Sequence, residues 1–104
     1  MNDQPNPEFD AVHPSQTILA RSCRGGALHS IALSEHAMET DANSLAEGIL
    51  RTASVSHLLA MMEIRAELIA GSSDDGPTSD VPTPQDLDEA VIALKAHQLP
   101  GRNS

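Results

Sequence analysis

Residues 17–49, TILARSCRGGALHSIALSEHAMETDANSLAEGI, read as two short strands around an Arg24-Gly25-Gly26 turn, then a break, then a capped helix. Thr17–Cys23 and Ala27–Leu33 are each of strand length and free of proline. Gly25 and Gly26 supply the positive-φ positions that a tight hairpin turn needs. With those two as the loop, Ile18 faces Leu33, Ala20 faces Ile31 and Ser22 faces His29; a three-residue loop is the alternative. Ile18, Ala20, Ile31 and Leu33 then share one face, and a slip of one residue would turn every side chain over. A two-stranded hairpin is marginal in water, so its apolar face needs a cover. The following helix is the expected one.

That helix is predicted to begin with Asp41 as its cap, with Ser34 capping a short turn through His36–Met38 before it. Leu45, Ala46, Ile49, Leu50 and Ala53 fall on one broad face. Beyond Ser54, Val55, Leu58, Leu59, Met62, Ala66 and Ile69 fall on another side, while Met61, Ile64 and Leu68 stay near the first. A helix that is apolar most of the way round is buried by more than one neighbour. In so small a chain the extra neighbour expected is a second copy. The alternative is a kink near Ser54–Ser56, with both halves packed inside one monomer.

The flanks divide the rest. Residues 1–16, with Pro5, Pro7 and Pro14, read as a flexible polar tail that Phe9 and Val12 could tack onto the domain. Residues 17–70 are the hairpin–helix core, and 71–83 an acidic linker opened by Gly71 and closed after Pro82. Residues 84–99 carry a C-terminal helix, with Thr83 as cap, Pro84 at its first position and Asp86 three residues after the cap. Leu87, Ala90, Val91 and Leu94 form its apolar stripe, and Leu99-Pro100-Gly101 stops it. The fold class is therefore α+β: a β-hairpin, a long helix and a C-terminal helix.

Charge and composition exclude several functions. The formal net charge is −9, from 15 acidic and 6 basic residues. Affinity for a phosphate backbone comes chiefly from lysine and arginine, and the six here are scattered. No tyrosine or tryptophan is present to stack bases. One cysteine excludes an intrachain disulfide. There is no apolar N-terminal region of the secretory kind, and no apolar run approaches the roughly 18 residues of a membrane span. The cytoplasm is the expected location.

No catalytic constellation emerges. The histidines at 13, 29, 36, 57 and 97 have no metal-ligand spacing, although Cys23 and His29 could meet across the hairpin. A Cys/His nucleophile pair would need an orienting group and an oxyanion hole as well. Gly25-Gly26 lacks the surroundings of a phosphate-binding loop. Asp74-Asp75 falls in the linker, a poor place to hold geometry. The chain is expected to be no enzyme and to hold no cofactor or metal.

Two resemblances add expectations. Strand, glycine turn, strand, Leu33-Ser34, then Leu45-Ala46-Glu47-Gly48-Ile49-Leu50-Arg51-Thr52-Ala53 resembles the second half of the YbaB/EbfC family, over residues 17–70. Those proteins are small α+β dimers described as nucleoid-associated. This chain departs from them in lacking the long first helix and the basic character, and in adding a helix after the acidic linker. The wording of residues 21–47, RSCRGGALHSIALSEHAMETDANSLAE, also resembles small actinobacterial, especially mycobacterial, proteins of unknown function of the EspH kind, associated with ESX (type VII) secretion loci, and that resemblance covers most of the chain. That resemblance implies a cytosolic accessory or chaperone-like role. With no Trp and no Tyr, the chain lacks the W-x-G turn and the Y-x-x-x-[DE] signal of a secreted substrate.

The expected function is thus a non-enzymatic dimeric adaptor for a protein partner, such as a secretion substrate or a component of the secretion machinery. Its dimer or partner interface would use Leu58, Leu59, Met61, Met62, Ile69, Leu87, Val91 and Leu94. The alternative is a nucleoid protein touching DNA through Arg21 and Arg24.

Overall fold

The hairpin forms where the glycines place it. In the computed structural model, which describes residues 9–71 and 81–99, strands β2 (Ile18–Ser22) and β3 (Leu28–Leu33) pair antiparallel. Ile18 lies opposite Leu33 and Ala20 opposite Ile31, as predicted. Near the tip Ser22 faces Leu28 instead of His29. The cause is a three-residue loop. The Cys23 N–H donates to the Ala27 carbonyl at 2.8 Å, and the Gly26 N–H to the Cys23 carbonyl at 2.9 Å. Gly25 and Gly26 take φ values of 98° and 94°, which cost glycine little. The odd residue is absorbed as a bulge at His29.

A third strand corrects the expectation of a flexible tail through residue 16. Strand β1 (Phe9–Val12) pairs antiparallel with β2, giving a sheet of order β1-β2-β3. Prolines and acidic residues masked a short alternating pattern. Ala11 turns into the core, while Asp10 and Val12 face out. Asp10 sits opposite Arg21 and pairs with it at 3.1 Å. Pro14 falls in the β1–β2 turn, where its fixed φ and missing N–H do no harm.

A 3₁₀ turn (Glu35–Glu39) leads into helix α1 (Ala42–Gly71), a single unbroken element. Ser34 stands at the cap of the 3₁₀ turn, but its side chain makes no capping hydrogen bond, contrary to expectation. Asp41 caps α1: its carboxylate accepts from the Ser44 N–H at 2.9 Å and the Ser44 hydroxyl at 2.8 Å. Those donors hold the Asp41 carboxyl below its ordinary range.

The face of α1 against the sheet is made of small residues. Gly48, Thr52, Val55, Ser56 and Ala60 are its buried positions, one stripe at helical spacing. Small side chains bring the helix close: a Cβ at Gly48 would lie 3.0 Å from Ile18 Cδ1. The buried hydroxyls are all bonded. Thr52 donates to the Gly48 carbonyl at 2.7 Å. Ser56 donates to the Phe9 carbonyl at 2.6 Å, so Ser22, 2.6 Å from Ser56, must be the donor between the two.

Helix α2 (Pro84–Ala96) opens on a capping box. Thr83 Oγ1 accepts from the Asp86 N–H, and the Asp86 carboxylate accepts from the Thr83 N–H. The helix packs within the chain. Leu94 joins Ala11 and Val55 in a cluster flanked by Leu59, Leu87, Ala90 and Val91. Arg51 on α1 donates to the Ala93 carbonyl at 2.9 Å, fastening the end of α2. Residues 72–80 of the expected acidic linker lie outside the described residues.

Candidate functional site: the His13–His97 joint

His13 directly follows β1, and His97 is the residue that caps α2 at its C-terminus. The fold brings them into contact, with His13 Nε2 3.0 Å from His97 Nδ1 and the rings edge-to-face, 5.2 Å between centroids. His13 is only 1% exposed. Its main-chain N–H donates to the Ile18 carbonyl at 2.9 Å, which continues the β1–β2 ladder and fixes the backbone. Gln16 adopts φ 66°, a left-handed turn position, and its N–H donates to the His13 carbonyl at 2.7 Å.

The hydrogen bonds settle which nitrogen carries the proton. The Ser15 main-chain N–H, which can only donate, points to His13 Nδ1 at 3.0 Å. That nitrogen is therefore unprotonated, and the ring proton sits on Nε2. Nε2–H then donates to His97 Nδ1. The Ser15 hydroxyl lies 2.9 Å from the same His13 Nδ1 and 2.7 Å from Thr17 Oγ1. Burial first, and the neighbouring His97 second, lower the His13 pKa below its ordinary value. Beside the pair is an open hollow of about 310 Å³, lined by His13, Pro14, Ser15, His97, Gln98 and Leu99.

This arrangement is poorly suited to a metal. A ligating histidine normally donates its other ring N–H to an acceptor. Here the other nitrogen of His13 faces a donor. Among the described residues, no three His, Cys, Asp or Glu side chains converge as a ligand set. Acyl transfer is poorly served too, although Ser15 and His13 touch as a nucleophile and base would. An oxyanion needs free donors aimed at it. The nearby N–H groups of Ser15, Gln16 and Thr17 already bond to His13 Nδ1, the His13 carbonyl and Ser15 Oγ. The geometry joins the end of β1 to the end of α2.

The residues singled out from sequence are dispersed. Leu94 is buried within the chain, and Leu59, Leu87 and Val91 pack against it, so these side chains are engaged in cis. Leu58, Met61 and Met62 are half-buried and Ile69 is exposed. Met61 and His57 pack on the hairpin tip, where His57 Nδ1 lies 2.9 Å from the Gly26 carbonyl oxygen. Arg21 pairs with Asp10, and Arg24 with Glu63 and Glu67, so both arginines face carboxylates. Cys23 and His29 are not joined: Cys23 closes the turn with Ala27, and His29 Nδ1 lies 3.3 Å from Ser30 Oγ. The His13–His97 contact escaped the sequence reading because the two lie 84 positions apart. The only local signal was a histidine directly before Pro14-Ser15.

No helix among the described residues is long and apolar enough to cross a membrane. No solved structure matches the chain. Uncharacterized proteins from Mycobacterium bovis and from two strains of Mycobacterium tuberculosis are each 57% identical to it over 98 residues, covering 94% of this chain and 95% of theirs. A family model described as a protein of unknown function, DUF2694, matches residues 1–100, a span that takes in the sheet, both helices and both histidines of the joint. On that extent of match, the chain belongs to the DUF2694 family.

Proposed function

We propose that the chain is a non-enzymatic adaptor that acts as a homodimer and presents an apolar surface to a protein partner. The observation that carries this reading is the thinness of the core. Among the described residues the buried apolar set is Ala11, Ile18, Ala20, Ala37, Val55, Ala60 and Leu94, so three side chains larger than alanine form its centre. Apolar side chains left outside so thin a core are a surface that a second chain can cover. Meanwhile Val12, Leu28, Leu33, Met38, Leu50, Ile69 and Ile92 lie exposed.

With Leu59, Leu87, Val91 and Leu94 used in cis, the second copy is better placed on β3. This edge strand and its flanks, Ala27–Ser34, carry no Asp, Glu, Lys, Arg or proline. Natural edges are usually blunted by charge or proline to prevent pairing. The Ser34 N–H donates to the Thr17 carbonyl, so Ser30, Ala32 and Ser34 bond to β2 while Ile31 and Leu33 turn their backbone outward. Two β3 edges related by a two-fold axis would pair antiparallel, bringing Leu28 and Leu33 to the seam. The resemblance of residues 21–47 to ESX-associated proteins supports a cytoplasmic, type VII secretion-linked role.

Light scattering tests the dimer. The expected mass is twice the 11.0 kDa of one chain at tens of micromolar. Leu33→Pro, which removes one outward N–H and one apolar side chain, should halve it while the circular dichroism stays the same. A wild-type mass of one chain at high micromolar concentration would overturn this reading.

A further inference from the structure

We propose that the His13–His97 contact is a proton-sensitive clasp that releases helix α2 from the sheet and from α1 when either ring is protonated. The argument is one of donors and acceptors at a joint whose one added acceptor, the Ser15 hydroxyl, lies 2.9 Å from His13 Nδ1. Two contacts have to be satisfied, Ser15 N–H to His13 Nδ1 at 3.0 Å and His13 Nε2 to His97 Nδ1 at 3.0 Å. With both imidazoles neutral, each contact has one donor and one acceptor. A proton added to His13 goes on Nδ1, where the Ser15 hydroxyl can accept it but the Ser15 main-chain N–H loses its acceptor. A proton added to His97 Nδ1 confronts the His13 Nε2–H. Moving the His13 proton to its other nitrogen only transfers the conflict to Ser15. A donor facing a donor at a buried position loses the hydrogen bond and bears an uncompensated desolvation cost.

The surroundings decide how far the joint can give. Gly48 of α1 lies against the rings' side of the sheet; a Cβ there would be 3.4 Å from His13 Cδ2 and 3.3 Å from Leu99 Cδ2. The α1 side of His13 is therefore filled, and the imidazole has no room to swing toward that helix, only toward the hollow on its other side. From its own turn His13 is faced by Ser15 and Thr17, and from α2 by His97. The charged groups nearby are Glu47 and Arg51 on α1, and Lys95 in the last turn of α2. Arg51, by hydrogen bond and charge, and to a smaller degree His97, hold the Glu47 carboxyl below its ordinary range. Glu47 is already neutralised by Arg51, at 2.8 Å from its Nε. Release would free the stripe of Leu87, Val91 and Leu94, now packed on Ala11, Val55 and Leu59.

The direction with pH follows from linkage. In the open form His13 is an ordinary histidine, with pKa about 6.5, whereas burial lowers it in the closed joint, so the open form binds the proton more readily. The clasp is therefore complete above about pH 6.5 and weakens as pH falls through that value. The loosening levels off once the closed form also binds the proton.

Hydrogen–deuterium exchange of the full chain tests this, with protection factors corrected for the intrinsic pH dependence of exchange. Protection of the α2 amides should fall between pH 7.5 and 5.5, approaching tenfold per pH unit at its steepest for one proton. Protection in the β2–β3 ladder should change less. His97→Gln should lower α2 protection at pH 7.5 and flatten its pH dependence. Protection independent of pH, or a pH response unchanged in His97→Gln, would overturn the clasp. Should the variant fail to fold, long-range ¹H–¹⁵N imidazole spectra of the wild type remain decisive. The expected neutral tautomer of His13 has its proton on Nε2, and a proton found on Nδ1 would overturn the proposal.

Discussion

At the scale of single residues, the buried hydroxyls give the sharpest expectations. Ser56 serves two groups at once, donating to the Phe9 carbonyl and accepting from Ser22. Ser56→Ala takes the acceptor from the Ser22 hydroxyl and one of the donors from the Phe9 carbonyl, whereas Ser22→Ala leaves Ser56 still bonded to Phe9. An orphaned buried polar group costs about 1–3 kcal/mol. Ser56→Ala should therefore destabilise by about 2 kcal/mol and Ser22→Ala by about half of that, as read from urea unfolding midpoints. The two turn glycines form a matched pair. Both have φ near 95°, so alanine at either carries a left-handed strain of about 1 kcal/mol or more. A Cβ at Gly25 meets open space, but one at Gly26 would lie 2.8 Å from Met61 Sδ and 3.1 Å from the His57 ring. Gly26→Ala should thus be the more damaging, and the difference between the two isolates the contact of α1 with the hairpin tip.

At the scale of elements, each helix is set by its cap and then by the face it buries. The Thr83–Asp86 box was legible from spacing alone, because reciprocal capping is local chemistry. Thr83→Ala should cost about 1 kcal/mol, seen as faster exchange confined to the first turn of α2. Leu94→Ala acts at the other end and differently. It empties the centre of the Ala11–Val55–Leu94 cluster and should cost about 2–4 kcal/mol, loosening α2 as a whole. Helix α1 shows where periodicity misleads. Its large apolar residues suggested the buried face, yet the sheet took the stripe of Gly48, Thr52, Ser56 and Ala60. Close approach of a helix to a sheet favours small side chains, and a hydroxyl becomes acceptable there once another element supplies its partner. Strand β1 was missed for a related reason. Four residues carry too little pattern to stand out, and the strand exists because β2 offers it a ladder.

At the scale of the whole molecule, charge governs what can approach. The net charge of −9 repels a polyanion, and the two arginines nearest the hairpin already face carboxylates. No appreciable binding to duplex DNA is expected at physiological salt, as an anisotropy titration would show. Micromolar affinity that weakened steeply with salt and vanished in Arg24→Glu would restore the nucleoid reading. The β3 edge, by contrast, is free of formal charge and leaves a second copy unopposed. Leu33→Pro therefore probes assembly without touching the β2 ladder.

The sequence by itself determined what local chemistry can determine: the glycine turn and the far register of β2 and β3, the caps at Asp41 and Thr83, and the α+β class. These depend on neighbours within a few residues, whose preferences are written in their own backbone and side-chain hydrogen bonds. Tertiary structure alone decided the third strand, the buried face of α1, the docking of α2 in cis and the meeting of His13 with His97. Each of these depends on a partner supplied from far along the chain. A hydroxyl, an imidazole or a short strand has no fixed value until that partner is present or absent.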